Sequence, residues 1–182
     1  MGHRISKVYT RTGDDGSTGM ADGSRVKKNS MVIIAIGEVD ELNAVVGVLR
    51  AEDMPSRYDA AFLKIQNDLF TIGGELSMPA YQVITEQHIE GIERQIDQWN
   101  EDLAPLKEFI LPSGNRVVAL CHQARTVCRR AERSLIALSQ GDGVRGELVQ
   151  YMNRLSDYFF VAARALAHEE GVNEVYWTKG VP

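Results

Sequence analysis

Apolar residues recur at alternating steps of three and four in five stretches of the chain, and proline falls between those stretches rather than inside them. The stretch 31–52 carries Val39, Leu42, Val46 and Leu49, and 57–77 carries Tyr58, Phe62, Ile65, Leu69, Ile72 and Leu76. The stretch 85–103 carries Ile89, Ile92, Ile96, Trp99 and Leu103. Val117, Cys121, Ala124, Cys128, Ala131, Leu135 and Leu138 mark 114–139, and Leu148, Met152, Leu155, Phe159, Ala162 and Leu166 mark 145–170. Such spacing draws one apolar seam along each helix, the pattern of antiparallel bundles. Pro55, Pro79, Pro105 and Pro112 separate the stretches and Pro182 ends the chain, which fits because proline breaks helix interiors. Thr85 suits the N-cap of the third helix, although His88 stands where a capping box has Glu or Gln. Gly141-Asp142-Gly143 reads as the turn before the last helix. No segment alternates cleanly over six residues, so the expectation is an all-α bundle with an irregular N-terminal arm and no substantial sheet.

At 182 residues the chain suits one domain, with an arm over 1–30, a helical bundle over 31–171 and a tail over 172–182. Twenty Lys and Arg face 25 Asp and Glu, a net charge of −5, which argues against a dedicated nucleic-acid binder. The charge is unevenly placed: 85–108 holds seven acids and two bases, whereas 114–133 holds five bases and one acid. Cys121 and Cys128 lie seven apart on one helix face, which predicts buried, reduced thiols and a cytoplasmic protein. No apolar run is long enough to span a membrane and the start has no secretory pattern. Met1-Gly2-His3-Arg4-Ile5-Ser6 fits only the short, common N-myristoylation pattern.

Four segments carry candidate chemistry. The arm Thr10-Arg11-Thr12-Gly13-Asp14-Asp15-Gly16-Ser17-Thr18-Gly19 gathers glycines, hydroxyls and an Arg, with Arg25 and Lys28 just downstream. Glycine lets backbone N–H groups turn toward an anion, so the arm reads either as a phosphate cradle or as a flexible tail. Arg125, Arg129 and Arg133 fall within about 80° of one another on a helix at ~100° per residue. Their mutual repulsion calls for an external partner, and polyphosphate suits the guanidinium fork. Arg130 lies at the margin of that face, and Glu132 is placed to orient one Arg. Asn153 and Asp157 share a polar edge of the last helix, with Arg164 further along it. Phe109-Ile110-Leu111-Pro112-Ser113-Gly114 ends an apolar run in a turn, either a buried loop or the wall of a ligand pocket. Gly141 to Gly146 matches Gly-x-Gly-x-x-Gly, but a helix precedes it where the dinucleotide motif needs a strand. The chain has no Glu-x-x-His, no histidine cluster and no Gly-x-Ser-x-Gly elbow, which disfavours di-iron, zinc and serine-nucleophile chemistry.

Together these segments resemble the PduO-type ATP:cob(I)alamin adenosyltransferases, also called corrinoid adenosyltransferases. The resemblance runs over almost the whole chain. It is carried by Thr10-Arg11-Thr12-Gly13-Asp14, Arg25 with Lys28, Val39-Asp40-Glu41-Leu42-Asn43, Phe109-Ile110-Leu111-Pro112, Cys128-Arg129-Arg130-Ala131-Glu132-Arg133 and Asn153-Arg154-Leu155-Ser156-Asp157. It implies a five-helix bundle with ferritin-like packing and no metal site, assembled as a homotrimer with active sites between subunits. The implied reaction moves the 5′-deoxyadenosyl group of ATP to cob(I)alamin, giving adenosylcobalamin and tripolyphosphate with Mg2+ on the phosphates. By position, Thr10, Arg11, Thr12, Gly13, Ser17, Thr18 and Lys28 would hold the triphosphate. Arg129, Arg130, Glu132, Arg133 and Asn153 would complete the ATP site, with Arg129, Asn153 and Asp157 closest to catalysis. Asp40 and Arg125 resemble a pair joining two subunits, and Phe109 the aromatic that faces the corrin and displaces its lower axial ligand. A reductase supplying cobalt(I) and adenosylcobalamin-dependent enzymes are the implied partners.

The residues suit this chemistry, because cobalt(I) is itself the nucleophile and the leaving group is a polyanion. The protein has only to place C5′ in line and to stabilise charge on the departing oxygens. One departure stands out: Ser113-Gly114 follows Ile-Leu-Pro where the family commonly has Gly-Gly, and serine there suits a helix N-cap. A bundle that carries ATP or cobalamin without turnover, or a purely structural helical oligomer, is the alternative. The intact arm and Arg face favour the enzyme.

Overall fold

The computed structural model describes residues 8–141 and 143–180. Its five helices are α1 (Met31–Arg50), α2 (Ser56–Ser77), α3 (Glu86–Asn100), α4 (Arg116–Ser139) and α5 (Gly146–Glu169). Each lies within three residues, at either end, of the stretch its apolar seam marks. The N-terminal methionine-glycine pattern and Asp142 lie outside the described residues. The arm is more ordered than the sequence suggests. β1 (Ser17–Gly19) and β2 (Arg25–Lys27) form a small antiparallel ribbon, too short to show as alternation.

Helix α4 packs between α1 and α5, with α2 against α1 and α3 against α5. The seam residues predicted for α1, α2, α4 and α5 are all buried, and burying a large apolar side chain contributes roughly 1.5–3 kcal/mol. In α3, Ile89, Ile92 and Trp99 are buried, while Ile96 and Leu103 are partly covered. An aromatic cluster links α2, α3 and α5: Tyr58 stacks on Trp99 at 5.0 Å between centroids, and Phe62 meets Phe159 at 6.3 Å. Within this core the Tyr151 hydroxyl donates to Asp68 at 2.8 Å, and Lys64 reaches the same carboxylate at 2.8 Å. Both cysteines are free and buried, and burial raises both thiol pKa values. The Cys128 thiol donates to the Met152 carbonyl at 3.2 Å.

Two capping expectations need correction. His88 does complete the reciprocal cap of α3, because its Nδ1 accepts from the Thr85 N–H at 3.2 Å as a Glu would. Ser113 does not cap α4; Asn115 does, its Oδ1 accepting from the Val118 N–H at 3.1 Å. Gly114 just before it sits at φ 141°, and a Cβ there would lie 2.7 Å from Val118. The Gly of the motif is therefore required by backbone and space, whereas the Ser before it is not a structural stop.

The arm reaches the bundle at one end. The Ala21 N–H donates to Ser77 Oγ at 2.9 Å, at the last residue of α2. The same end is pinned by buried Glu75, which accepts from the Val83 and Ile84 N–H groups at 2.8 and 2.6 Å and from Arg145 at 2.7 Å. The acidic 85–108 stretch is largely exposed, as expected of charge balance, although Glu93 is drawn into a contact with α5.

Candidate functional site

The arm is shaped as a cradle by contacts within itself. Arg25 donates to the Thr12 carbonyl at 2.6 Å and to Ser17 Oγ at 3.1 Å from Nε, while Asp15 accepts from the Ser17 hydroxyl and N–H at 2.7 and 2.9 Å. Those two bonds, with Arg25 beside it, hold Asp15 below the ordinary carboxylate range. Thr10 and Thr12 share a hydroxyl hydrogen bond at 2.8 Å, and between them Arg11 takes a positive φ of 60°. Such a conformation is uncommon for a residue with a Cβ. Gly13 lies against Lys28: a Cβ there would sit 3.1 Å from its Nζ. The same Cβ would lie 3.0 Å from the Ser17 carbonyl, so the Lys28 ammonium and the Ser17 backbone both close on Gly13. Thr18 is paired with Val26 in the ribbon. Thus Thr10, Arg11, Thr12, Gly13, Ser17, Thr18 and Lys28 form one compact group, and Arg25 organises it.

The α4–α5 face is a second group. Arg129 and Arg133 are exposed, and neither forms an ion pair with a described carboxylate; Arg133 donates to the Arg129 carbonyl at 3.2 Å. Arg130 behaves differently, pairing with Glu41 and, at 3.8 Å, with Glu38 of α1. Glu132 orients no arginine, contrary to expectation. It accepts from Asn153 Nδ2 at 2.9 Å, Asn153 Oδ1 accepts from Arg154 at 2.7 Å, and Arg154 Nε donates to Glu93 at 2.9 Å. This chain of polar contacts runs from α4 through α5 to α3 and fixes the Asn153 amide. Asp157 is exposed one turn further on.

The third group surrounds Phe109, which is 79% exposed; the buried-loop reading of this segment is therefore wrong. Phe109, Ile110, Leu106, His122, Arg125 and Phe160 line a cleft of about 480 Å3. A cleft of similar size, about 520 Å3, lies beside Tyr58 and Trp99, but there the Arg57 charge is already paired with Glu169.

Arg125 Nε and His122 Nδ1 are both buried without a hydrogen-bond partner. Burial, and secondly the Arg129 charge, weaken the hold of Arg125 on its proton. Asp40 is exposed on α1 and no described hydrogen bond or ion pair joins it to Arg125. Likewise, among the described residues, no hydrogen bond or ion pair joins arm residues 10–28 to the Arg face of α4. Within one chain the arm and the arginines are thus two separate groups.

Burial, with Arg125 next, pulls His122 from its ordinary value of 6.5 down to about 4, against the opposing pull of Glu174. The unfolded chain takes up this proton before the folded one does, so its contribution to stability is whole above pH 6.5 and is lost as pH falls toward 4. Replacing His122 by Gln is expected to flatten the loss of stability between pH 6.5 and 5, followed as denaturation midpoint against pH. An unchanged slope would mean that other groups carry it.

Sequence reasoning missed Glu38 and Glu41 as partners of Arg130, the Arg154–Glu93 link, and the pairing of the tail with the backbone of the Phe109 segment. The tail shows neither helical nor strand period, so it gave no local signal. The acids of α1 were in view at 38 and 41, but only the fold says that α1 lies beside α4.

A donor-lined arm beside Lys28, arginines with no described carboxylate partner and an aromatic-walled cleft on a helical bundle are surfaces suited to a polyanion and to a large ligand with an apolar face. The chain belongs to the cobalamin adenosyltransferase family, whose model matches residues 8–166. It is 49% identical to a cobalamin adenosyltransferase of Cupriavidus metallidurans, over 98% of both chains. It is 39% identical to a corrinoid adenosyltransferase of Bacillus subtilis, over 95% of this chain and 93% of that one. Among solved structures it resembles a variant PduO-type ATP:corrinoid adenosyltransferase from Lactobacillus reuteri complexed with cobalamin and ATP. There the TM-score is 0.91 at 32% identity, over 95% of this chain and 97% of that one.

Proposed function

We propose that this protein transfers the 5′-deoxyadenosyl group of ATP to cob(I)alamin, releasing tripolyphosphate. The observation that carries the reading is the pairing of a preformed phosphate cradle at Gly13 and Lys28 with the unneutralised Arg129 and Arg133, alongside the cleft at Phe109. The cobalt(I) electron pair attacks C5′, the C5′–O bond breaks, and its electrons leave on the triphosphate. No side-chain nucleophile is needed. Thr10 to Gly13, Ser17, Thr18 and Lys28 hold the triphosphate, and Arg129, Arg130 and Arg133 meet the charge on its departing oxygens. Glu132 and Asn153, locked to each other, orient the nucleotide. Asp157 extends that edge, and Phe109 stands against the lower face of the corrin. Mg2+ enters on ATP, bound chiefly by phosphate oxygens and water.

The two half-sites support a homotrimer in which the arm of one subunit meets the Arg face of the next, with Asp40 pairing with Arg125 across the interface. One domain supplies both halves, as the arm 1–30 and the bundle 31–171. The proposed setting is cytoplasmic, with a reductase supplying cobalt(I) and adenosylcobalamin-dependent enzymes taking the product. Among the described residues no helix is long and apolar enough to cross a membrane.

The test is direct. Anaerobic cob(I)alamin with Mg-ATP and the protein should give the light-sensitive spectrum of an alkylcobalamin. No spectral change with fully reduced cobalamin would exclude the reaction.

A further inference from the structure

The segment that carries Phe109, residues 101–115 between α3 and α4, is braced by one far from it in the chain, residues 170–180 after α5. A short antiparallel pairing joins them. The Leu111 N–H donates to the Val175 carbonyl at 2.7 Å, the Trp177 N–H donates to the Phe109 carbonyl at 2.7 Å, and Ile110 lies opposite Tyr176. Because the Phe109 ring is mostly exposed, packing does little to hold it, and its place is set by the backbone.

Both segments converge on one side chain. Arg164 of α5 is only 8% exposed, donates from Nε to Glu174 at 2.7 Å, and donates from Nη2 to the Ala104 carbonyl at 2.8 Å. Its neighbours along α5 are Val161, Ala162, Ala163, Ala165, Leu166 and Ala167, all buried. A guanidinium among such residues is costly to desolvate and adds little net stability even when paired. What it does supply is direction, since its planar fork binds two acceptors at fixed angles. One acceptor belongs to the tail and the other to the Phe109 segment, five residues before Phe109.

We infer that Arg164, with Glu174, is the positioning device for Phe109: it locks the tail against the 101–115 segment and so sets how far the ring stands out toward the corrin. The role rests on the proposed placement of Phe109 at the lower face of cobalamin. Neither Arg164 nor Glu174 touches substrate in this scheme. Glu174 lies outside the apolar core of the five helices, whereas Arg164 is buried in α5, so the melting temperature of each variant is followed beside its kinetics.

The test uses Arg164→Gln, Arg164→Lys and Glu174→Gln in the full chain, assayed with two corrinoids. Each is supplied in its cobalt(II) form with a chemical reductant present: cob(II)alamin carries a lower ligand that has to be displaced before reduction, and cob(II)inamide lacks the nucleotide that supplies it. With cobalamin, Arg164→Gln and Glu174→Gln are expected to lower kcat roughly tenfold, the order of loss that small misplacement of a positioned group brings. The KM for ATP should stay within about twofold of wild type, since the ATP groups lie elsewhere. The fraction of protein-bound cob(II)alamin showing the four-coordinate spectrum should fall in step with kcat. Cobinamide turnover should stay near wild type, and Arg164→Lys should recover part of the loss. Wild-type cobalamin kinetics and spectra in Arg164→Gln and Glu174→Gln would overturn the role. So would equal losses with both corrinoids and ATP accompanied by a lowered melting temperature, which would mark a merely structural pair. A wild type inactive with either corrinoid would remove the function itself, and the positioning role with it.

Discussion

Turnover of cob(I)alamin by Arg129→Ala is expected to fall at least tenfold, about 1.4 kcal/mol of transition-state stabilisation. Arg129 is exposed and no described carboxylate neutralises it, so its removal leaves no buried acid stranded. Helix α4 should stay intact, because its seam at Cys121, Ala124, Cys128 and Ala131 is untouched and alanine is the best helix former. The loss should appear in kcat, since charge on the phosphate oxygens grows as the C5′–O bond breaks. Arg130→Ala would be a poorer probe, because it also unpairs Glu38 and Glu41 on α1. Wild-type turnover in Arg129→Ala would show the arginines to be a solvated face.

How far the fold could be read from sequence follows from what each residue answers to. The helices were legible because a three-four seam and the placement of proline are local properties. The caps were less so: Thr85 was visible, but His88 acts through an imidazole nitrogen that the Glu/Gln rule does not count. Asn115 displaced Ser113 because Gly114 swings the chain before the helix starts. In the site, residue types and spacing singled out Arg125, Arg129 and Arg133, yet not which carried a partner. Arg130 and Glu132 found theirs on α1 and α5, and only the order of helices in the bundle decides that. The tail is the plainest miss, since its backbone pairs with a segment more than sixty residues away and its own sequence has no period.

Reversing the charge at Arg125, as Arg125→Asp, is expected to dissociate the proposed trimer at working concentration, and combining it with Asp40→Arg should restore assembly and part of the activity. Within one chain Arg125 has a buried Nε with no hydrogen-bond partner and a like charge at Arg129, and nothing described neutralises it. A guanidinium in that state is an acceptor short, and Asp40, exposed on α1, would offer one from another copy. Truncating one member of a desolvated interface pair typically costs 2–5 kcal/mol. At the lower end that is roughly 30-fold in dissociation constant for each contact. A closed ring of three subunits repeats the loss three times, so the effect on assembly exceeds that on any one interface. Light scattering reads the assembly, and the cobalamin assay reads the site. The two should fall together if, as proposed, the arm of one subunit and the Arg face of the next complete one site. Wild-type scattering mass in Arg125→Asp would remove the pair from the interface, and a wild type that is monomeric yet fully active would remove the shared site. Loss of mass in the single variant with recovery in the double is the pattern that an Asp40–Arg125 contact between subunits requires, since a swap restores the charge pairing without restoring either original side chain.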